Sequence, residues 1–369
     1  MDFLTRYAQL NSQQKKAVDT IDGPVMVVAG PGTGKTELLS VRIANILKNT
    51  DTLPQSILCL TFTDSGAAAM RERLLGIIGK DAYKVAIHTF HSFGSEVINQ
   101  NREYFYQGAE FQPADDITRY EIVRNILAKL DHNSPLSSTM NGEFTHQADV
   151  TRTISDLKRS GLTSDELRAV LEQNDAALNL AERIIIPHFD KPIKKGLADA
   201  LASDLKPLAD AANDTPTLYE IVPLARTLYD SLVAALDAAA TEHPTKPLTA
   251  WKKQWLSKDS DGKLVFSARK HITKLRAVSY VYYEYMQAME RASLFDYDDM
   301  ILQVVHAVEV HDDLRYSLQE KYLYVLVDEF QDTNLAQMRI LNSLTDTVTN
   351  DDPNILVVGD DDQSIYGWR

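Results

Sequence analysis

The stretch VMVVAGPGTGKT, Val25 to Thr36, decides the fold: four apolar residues with β preference run into a glycine-rich turn that closes on a lysine–threonine pair. Gly30, Gly32 and Gly34 permit backbone conformations and close approach that a side chain forbids. Successive amide hydrogens can then face phosphate oxygens at the start of the helix that follows. Lys35 supplies charge for the β and γ phosphates of a nucleotide, and Thr36 a hydroxyl for Mg²⁺. Ala29 stands where the full pattern has its first glycine, ahead of Gly30, Pro31, Gly32, Thr33 and Gly34, so the match is to the relaxed form. The competing reading is a glycine-rich turn without a ligand. The β-run before it and the helical stretch after it argue against that.

Two further apolar runs end in chemistry. YVLVDEFQDTN, Tyr324 to Asn334, delivers Asp328 and Glu329 at the carboxyl end of a strand, where one acid can hold Mg²⁺ and its neighbour can orient and deprotonate an attacking water. VVGDDDQSIYGWR, Val357 to Arg369, delivers acids, an amide and aromatics in the same way. In parallel α/β sheets ligands gather at the carboxyl ends of strands, which brings these loops to one edge. Alone, an acid pair after a strand reads as a solvated turn; the phosphate loop upstream changes that reading.

Between these runs the texture changes. From Pro24 to about Ile98, β-rich runs (Val25 to Val28, Ile57 to Thr61, Val85 to His88) alternate with helical stretches, a βαβ pattern that implies a parallel sheet covered by helices. From Gln100 to Ser293, Ala/Leu-rich helical periodicity takes over, and the α/β texture returns at Phe295. The expected division is residues 1–99 and 294–369 as two parts of one α/β domain, with 100–293 as an inserted helical subdomain.

Composition sets outer bounds. The 369 residues, 44% hydrophobic and 24% charged, suffice for two or three domains with a large core. No apolar window is long enough for a membrane span, and the N-terminus lacks the apolar centre of a signal peptide. Cys59 is the single cysteine, which leaves no intramolecular disulfide. A soluble, cytoplasmic chain with no membrane partner is the expectation. The net charge of −14 speaks against coating nucleic acid by bulk attraction. One basic stretch stands out: Thr245 to Arg276 carries Lys246, Lys252, Lys253, Lys258, Lys263, Arg269, Lys270, Lys274 and Arg276 against Asp259 and Asp261, with Trp251 and Trp255 interleaved. It reads either as a nucleic-acid track through Lys252 and Lys253 or as a solvated helical face. The acids of LFDYDDMI, Leu294 to Ile301, read as a helix N-terminus, with Asp298 or Asp299 as outer support for the nucleotide edge.

In this order, AGPGTGKT, LTFTDSGAAAMRERL, IHTFHSF, LFDYDDMI, VLVDEFQDTN and VVGDDDQSIYGWR resemble the UvrD/Rep/PcrA type of superfamily 1 DNA helicase, and LNSQQ resembles that family's glutamine motif. The resemblance covers Leu10 to about Ile98 and Phe295 to Arg369. It implies an α/β, RecA-like P-loop NTPase parallel sheet interrupted by a large all-helical insertion. It implies an ATP-dependent helicase or translocase on single-stranded or partly duplex DNA, of 3′ to 5′ polarity, with ATP and Mg²⁺. By the same resemblance Gln14 reads the adenine edge, Gln363 contacts the γ-phosphate, and Thr61, Phe62, Thr63, His91, Tyr366, Trp368 and Arg369 line the single-strand path. Aromatic faces suit that path because they stack on bases without sequence preference. Many relatives carry an arginine directly after the lysine–threonine pair; here Glu37 stands there, and Arg42, one turn on, is the candidate substitute for stacking on adenine. The family's second RecA-like domain has no counterpart in the sequence, so the chain reads as the ATP-binding half of a monomeric enzyme, nearly inactive alone. Two rivals stay open: the helicase part of a helicase–nuclease subunit, and a nucleotide-switched module that grips DNA or protein without unwinding.

Overall fold

The computed structural model describes residues 3–30, 32–105, 111–194, 196–218, 221–241, 244–346, 353–360 and 362. Five strands form one fully parallel sheet: β1 (Val25–Val28), β2 (Ile57–Thr61), β3 (Ala86–Thr89), β4 (Tyr324–Val327) and β5 (Ile355–Gly359), in the order β1–β5–β4–β2–β3. The two late strands lie between the early ones, with Val25 beside Leu356, Val325 beside Ile355 and Tyr324 beside Ile57. Strand periodicity of two then sorts the core. Leu58, Leu60, Val325 and Val327 pack with Phe93, Val97, Val304 and Ile340 on one face. Ile57, Cys59, Leu326 and Val358 pack with Leu39, Ile43, Met70 and Leu74 on the other. Helices cover both faces of the central strands, while on the edge strand β1 Met26 and Val28 stay 65% and 71% exposed.

The chain divides into two compact units: Met1–Thr118 with Ser155–Leu162 and Met289–Arg369, and Arg119–Ile154 with Thr163–Ala288. The expected boundaries at 100 and 293 therefore move. Phe105 is buried in the core that Leu58 and Phe93 share, and Gln112–Pro113 pairs in parallel with Leu294–Phe295, which ties residues 100–118 to the α/β unit. The second unit is built from helices, including Ser164–Phe189 and Leu224–Thr241, and also contains two short antiparallel pairs, Thr139–Met140 with Glu143–Phe144 and Leu256–Lys258 with Leu264–Phe266. Trp251 belongs to its core: the ring stacks on Phe189 at 5.5 Å and meets Phe266 edge-on at 6.2 Å, while its indole nitrogen donates to Ser231 Oγ at 3.0 Å.

The return of residues 155–162 to the α/β unit has a visible cause. Lys158, fully buried, lies 2.7 Å from Asp296 Oδ2 and 2.5 Å from Asp299 Oδ1. Asp296 caps the helix Tyr297–Val310, its Oδ1 accepting from Asp299 N while Asp299 Oδ2 accepts from Asp296 N. The acids of LFDYDDMI thus start a helix, as expected, but Asp299 supports the lysine rather than the nucleotide edge. Burial pushes the Asp299 carboxyl up to about 6, against the pull of Lys158 and with the repulsion of Asp296. Arg159 reaches Asp298 at 3.2 Å, and Arg339 joins the Gly161 carbonyl to Glu309. Replacing one member of such a cluster strands the others. Lys158→Met should lower the unfolding free energy by about 3–5 kcal/mol, and adding Asp296→Asn and Asp299→Asn should recover part of it; chemical denaturation of the three proteins measures both.

Candidate active site

Strand order builds the site. Because β1, β5 and β4 are neighbours, the ends of the three chemically loaded runs open side by side, and two ladder bonds carry the sheet into them: Ala29 N donates to Gly359 O at 2.9 Å, and Asp328 N to Leu60 O at 2.8 Å. The phosphate loop follows β1. Gly32 and Gly34 hold φ of 72° and 83°, left-handed values that favour glycine, and a Cβ on Gly32 would meet nothing within 4 Å. Gly34 caps the helix Lys35–Asn49, so the loop ends on free amide groups. Thr33 bonds back to Gly30 O at 2.8 Å, and a Cβ on Gly30 would stand 3.7 Å from Asp360 Oδ2. Pro31 lies outside the described residues, as do Gln363, Tyr366, Trp368 and Arg369.

Lys35 Nζ sits 2.6 Å from Glu329 Oε2, joining residues 294 apart in sequence. Glu329 holds this place with φ 50° and ψ 46°, a left-handed conformation that a side chain adopts at a cost of roughly 1–3 kcal/mol. Asp328, beside it, is buried, and its carboxyl is pushed up to about 6 by desolvation and then by Glu329, against the pulls of Lys35 and Arg73. A buried carboxyl short of positive charge is what a divalent cation would satisfy, and Thr36 stands one residue beyond Lys35.

One participant has no role in the sequence reading. Gln331 donates from Nε2 to Glu329 Oε2 at 2.8 Å and accepts from Asp360 N at 3.0 Å, so its amide joins the loop after β4 to the loop after β5. A Cβ on Gly359 would come within 2.7 Å of Gln331 Oε1, which explains the glycine. A side-chain amide can donate to an acid and accept from an N–H at once across this span, and that is the available signal in DEFQ.

Gln14 spans two elements: Nε2 donates to Thr33 O at 2.9 Å, and Oε1 accepts from Asn11 N in a capping box at Ser12–Asp19. It is therefore tied to the phosphate loop and also closes the capping box of its own helix. Arg42 is a correction. It is buried and donates to the carbonyls of Ala17, Thr20 and Ile21, closing the end of that same helix; burial lowers its pKa to about 10. A guanidinium so committed cannot lie on an adenine face. Thr61 is buried at the end of β2, Thr63 caps Asp64–Ile78 by accepting from Gly66 N, and Phe62 between them is half-buried. His91 meets Tyr297 edge-on at 6.0 Å, and burial holds its pKa low despite Asp298. In the second unit the basic stretch is partly spent internally. Lys252 donates to Phe189 O at 2.5 Å; Arg269 pairs with Glu182 and Asp175, Arg276 with Asp175, while Lys253 and Lys270 are exposed.

The sequence profile described as UvrD/REP helicase N-terminal domain matches residues 10–369. The chain belongs to this family. Among similar proteins, DNA helicase II of Rickettsia typhi is 28% identical over 363 residues, covering 98% of this chain and 38% of that protein. The ATP-dependent DNA helicases PcrA of Staphylococcus epidermidis and Staphylococcus aureus are 26% and 24% identical, each covering 98% of this chain and 34% of theirs. The chain thus spans about a third of the length of these UvrD/REP relatives. No helix among the described residues is long and apolar enough to cross a membrane.

The raised pKa of Asp328 has a sign that can be tested. A carboxyl whose folded pKa lies above its unfolded value of 3.8 destabilises the fold above about pH 6, and the penalty vanishes below about pH 4. Asp328→Asn keeps the acceptor that Glu329 N uses at 3.0 Å. The variant should therefore be more stable than the unsubstituted chain by about 3 kcal/mol at pH 7.5 and equal to it near pH 4, as read from denaturant unfolding at both values.

Proposed function

We propose that this chain is the ATP-binding and hydrolysing part of a DNA helicase that translocates along single strands, 3′ to 5′, in the cytoplasm. The observation that carries the reading is the meeting of Lys35, Glu329 and Asp328 at the mouth of adjacent strands. Gly30 to Gly34 and Lys35 bind the triphosphate, Thr36 and Asp328 hold Mg²⁺, and Glu329 accepts the proton of the attacking water. When bound, Mg²⁺ neutralises phosphate oxygens as charge develops on them. A γ-phosphate competes with Glu329 for Lys35; as the lysine turns to phosphate, Glu329 is freed as a base while Gln331 keeps it oriented. Gln331 then relays the position of Glu329 to Asp360 and the run that continues to Gln363, the proposed contact between nucleotide and DNA grip.

Thr61, Phe62, Thr63 and His91 lie at the ends of β2 and β3, further along the same sheet edge, and we assign them to the single-strand path together with Tyr366, Trp368 and Arg369. Single-stranded or partly duplex DNA is the partner, the protein acts as a monomer, and a second RecA-like domain supplies the opposing wall of the cleft. The names of the relatives, DNA helicase II and ATP-dependent DNA helicase PcrA, support the reading.

Titration calorimetry with Mg·ATP tests the site. Lys35→Ala should weaken binding by at least about tenfold, the loss of a charge-assisted interaction worth roughly 1.5–3 kcal/mol. In the whole protein, Glu329→Gln should keep the affinity and lose most turnover, since an amide fills the space but accepts no proton. Equal affinity for Lys35→Ala, or most of the turnover retained by Glu329→Gln, overturns the assignment. ATP binding with DNA-stimulated hydrolysis but no strand separation would favour a nucleotide-switched module instead.

For the second unit the two kinds of lysine should separate. Lys253→Glu with Lys270→Glu should flatten the slope of log K against log salt for single-stranded DNA, by roughly 0.7 for each phosphate no longer neutralised. Lys252→Ala should leave that slope unchanged and lower the melting temperature, since its ammonium caps a helix carbonyl.

A further inference from the structure

Glu37 is an anomaly in the phosphate loop's own helix. It lies two residues beyond Lys35 in the first turn, and its Cβ is 3.9 Å from where a Cβ on Gly34 would stand. A carboxylate there suits the helix dipole but repels any polyphosphate held by the same amides. The chain answers it with Arg6. One nitrogen, Nη1, donates to both Glu37 oxygens at 2.8 and 2.9 Å, while Arg73 approaches the same carboxylate only to 3.8 Å. Arg6 is delivered by the short helix Phe3–Gln9, which is itself pinned: Tyr7 OH donates to Asp19 at 2.7 Å, and Lys48 lies over the Phe3 ring at 4.9 Å. Gly76 leaves room for the guanidinium, since a Cβ there would stand 3.2 Å from Nη2. Arg6 Nε is buried with no hydrogen-bond partner among the described residues, so the arginine is held in place chiefly by Glu37.

We infer that Arg6 is a positioning residue of the nucleotide site: it neutralises Glu37, so that this carboxylate adds no net repulsion for a polyphosphate held at the phosphate loop. The inference rests on the nucleotide-site reading above. Without Arg6, Glu37 stands unscreened at the loop and draws Arg73 toward itself. Arg73 is one of the cations that Asp328 feels, so the change reaches the metal acid as well.

The test is a set of dissociation constants for Mg·ATP and for AMP, measured on the unsubstituted chain, Arg6→Ala, Glu37→Gln and the double variant. Arg6→Ala should weaken Mg·ATP by roughly three- to tenfold, the effect expected of one uncompensated charge near several phosphates in a watery site. AMP should change less than twofold. Glu37→Gln should bind Mg·ATP at least as tightly as the unsubstituted chain, and the double variant should match Glu37→Gln within twofold. If Arg6→Ala does not fold, the tight binding of Glu37→Gln and of the double variant still decides the matter. A purely structural arginine predicts equal losses for ATP and AMP, with no rescue by Glu37→Gln; that result, or no change in any variant, overturns the proposal. If the unsubstituted chain does not bind Mg·ATP at all, the nucleotide-site reading falls first and takes this one with it.

Discussion

The wedge of two late strands between two early ones is the constraint on which the rest depends. β4 and β5 come from residues 324–359, yet they fill the space between β1 and β2, which come from residues 25–61. The sheet cannot close until the chain has passed through the whole insertion, because nothing else pairs the inner edges of β1 and β2. The same wedge sets the order of loops along the carboxyl edge: phosphate loop, Asp360, Asp328 with Glu329, then Thr61 to Thr63, then Thr89 to His91. Functional adjacency is a consequence of strand order, and so is the coupling between loops that Gln331 makes.

At that edge the electrostatics are unbalanced in a useful way. Two neighbouring acids share one close lysine; Lys35 goes to Glu329, so Asp328, the more buried of the two, is left with the weaker compensation and a raised pKa. The left-handed backbone of Glu329 is what lets adjacent side chains serve different partners. Strain at this residue is tolerated because Lys35, Gln331 and the ladder bond from Asp328 N hold it from several sides.

Much of this is legible in the sequence, and the exceptions share a cause. Apolar runs mark the central strands Ile57–Thr61 and Tyr324–Val327 most clearly, since a strand buried on both faces has no polar alternation to confuse the reading. Glycines and acids at the run ends mark the loops. What pattern cannot supply is the destination of long cationic side chains. Arg42 sits in sequence where it could face a base and instead closes a helix end from within the core. Lys158 gives no signal at all, although it is wholly buried and decides where residues 155–162 belong. The boundary near residue 100 fails for a related reason: Phe105 and Gln112–Pro113 lie in sequence with the insertion's texture, but in space with the sheet.

The second unit repeats the lesson with charge. Nine basic residues between Thr245 and Arg276 suggest a track, yet a charge count does not distinguish a cation aimed at solvent from one already answered. Arg269 and Arg276 are neutralised by acids of Ser164–Phe189, and Lys252 is hydrogen-bonded to a carbonyl at the end of that helix. Tryptophan follows suit, since Trp251 has its face on Phe189 and its nitrogen on Ser231. What remains for an external phosphate is a smaller and more exposed set centred on Lys253 and Lys270. In a chain of net charge −14, such a set attracts a polyanion only at close range, within about one Debye length of roughly 8–10 Å.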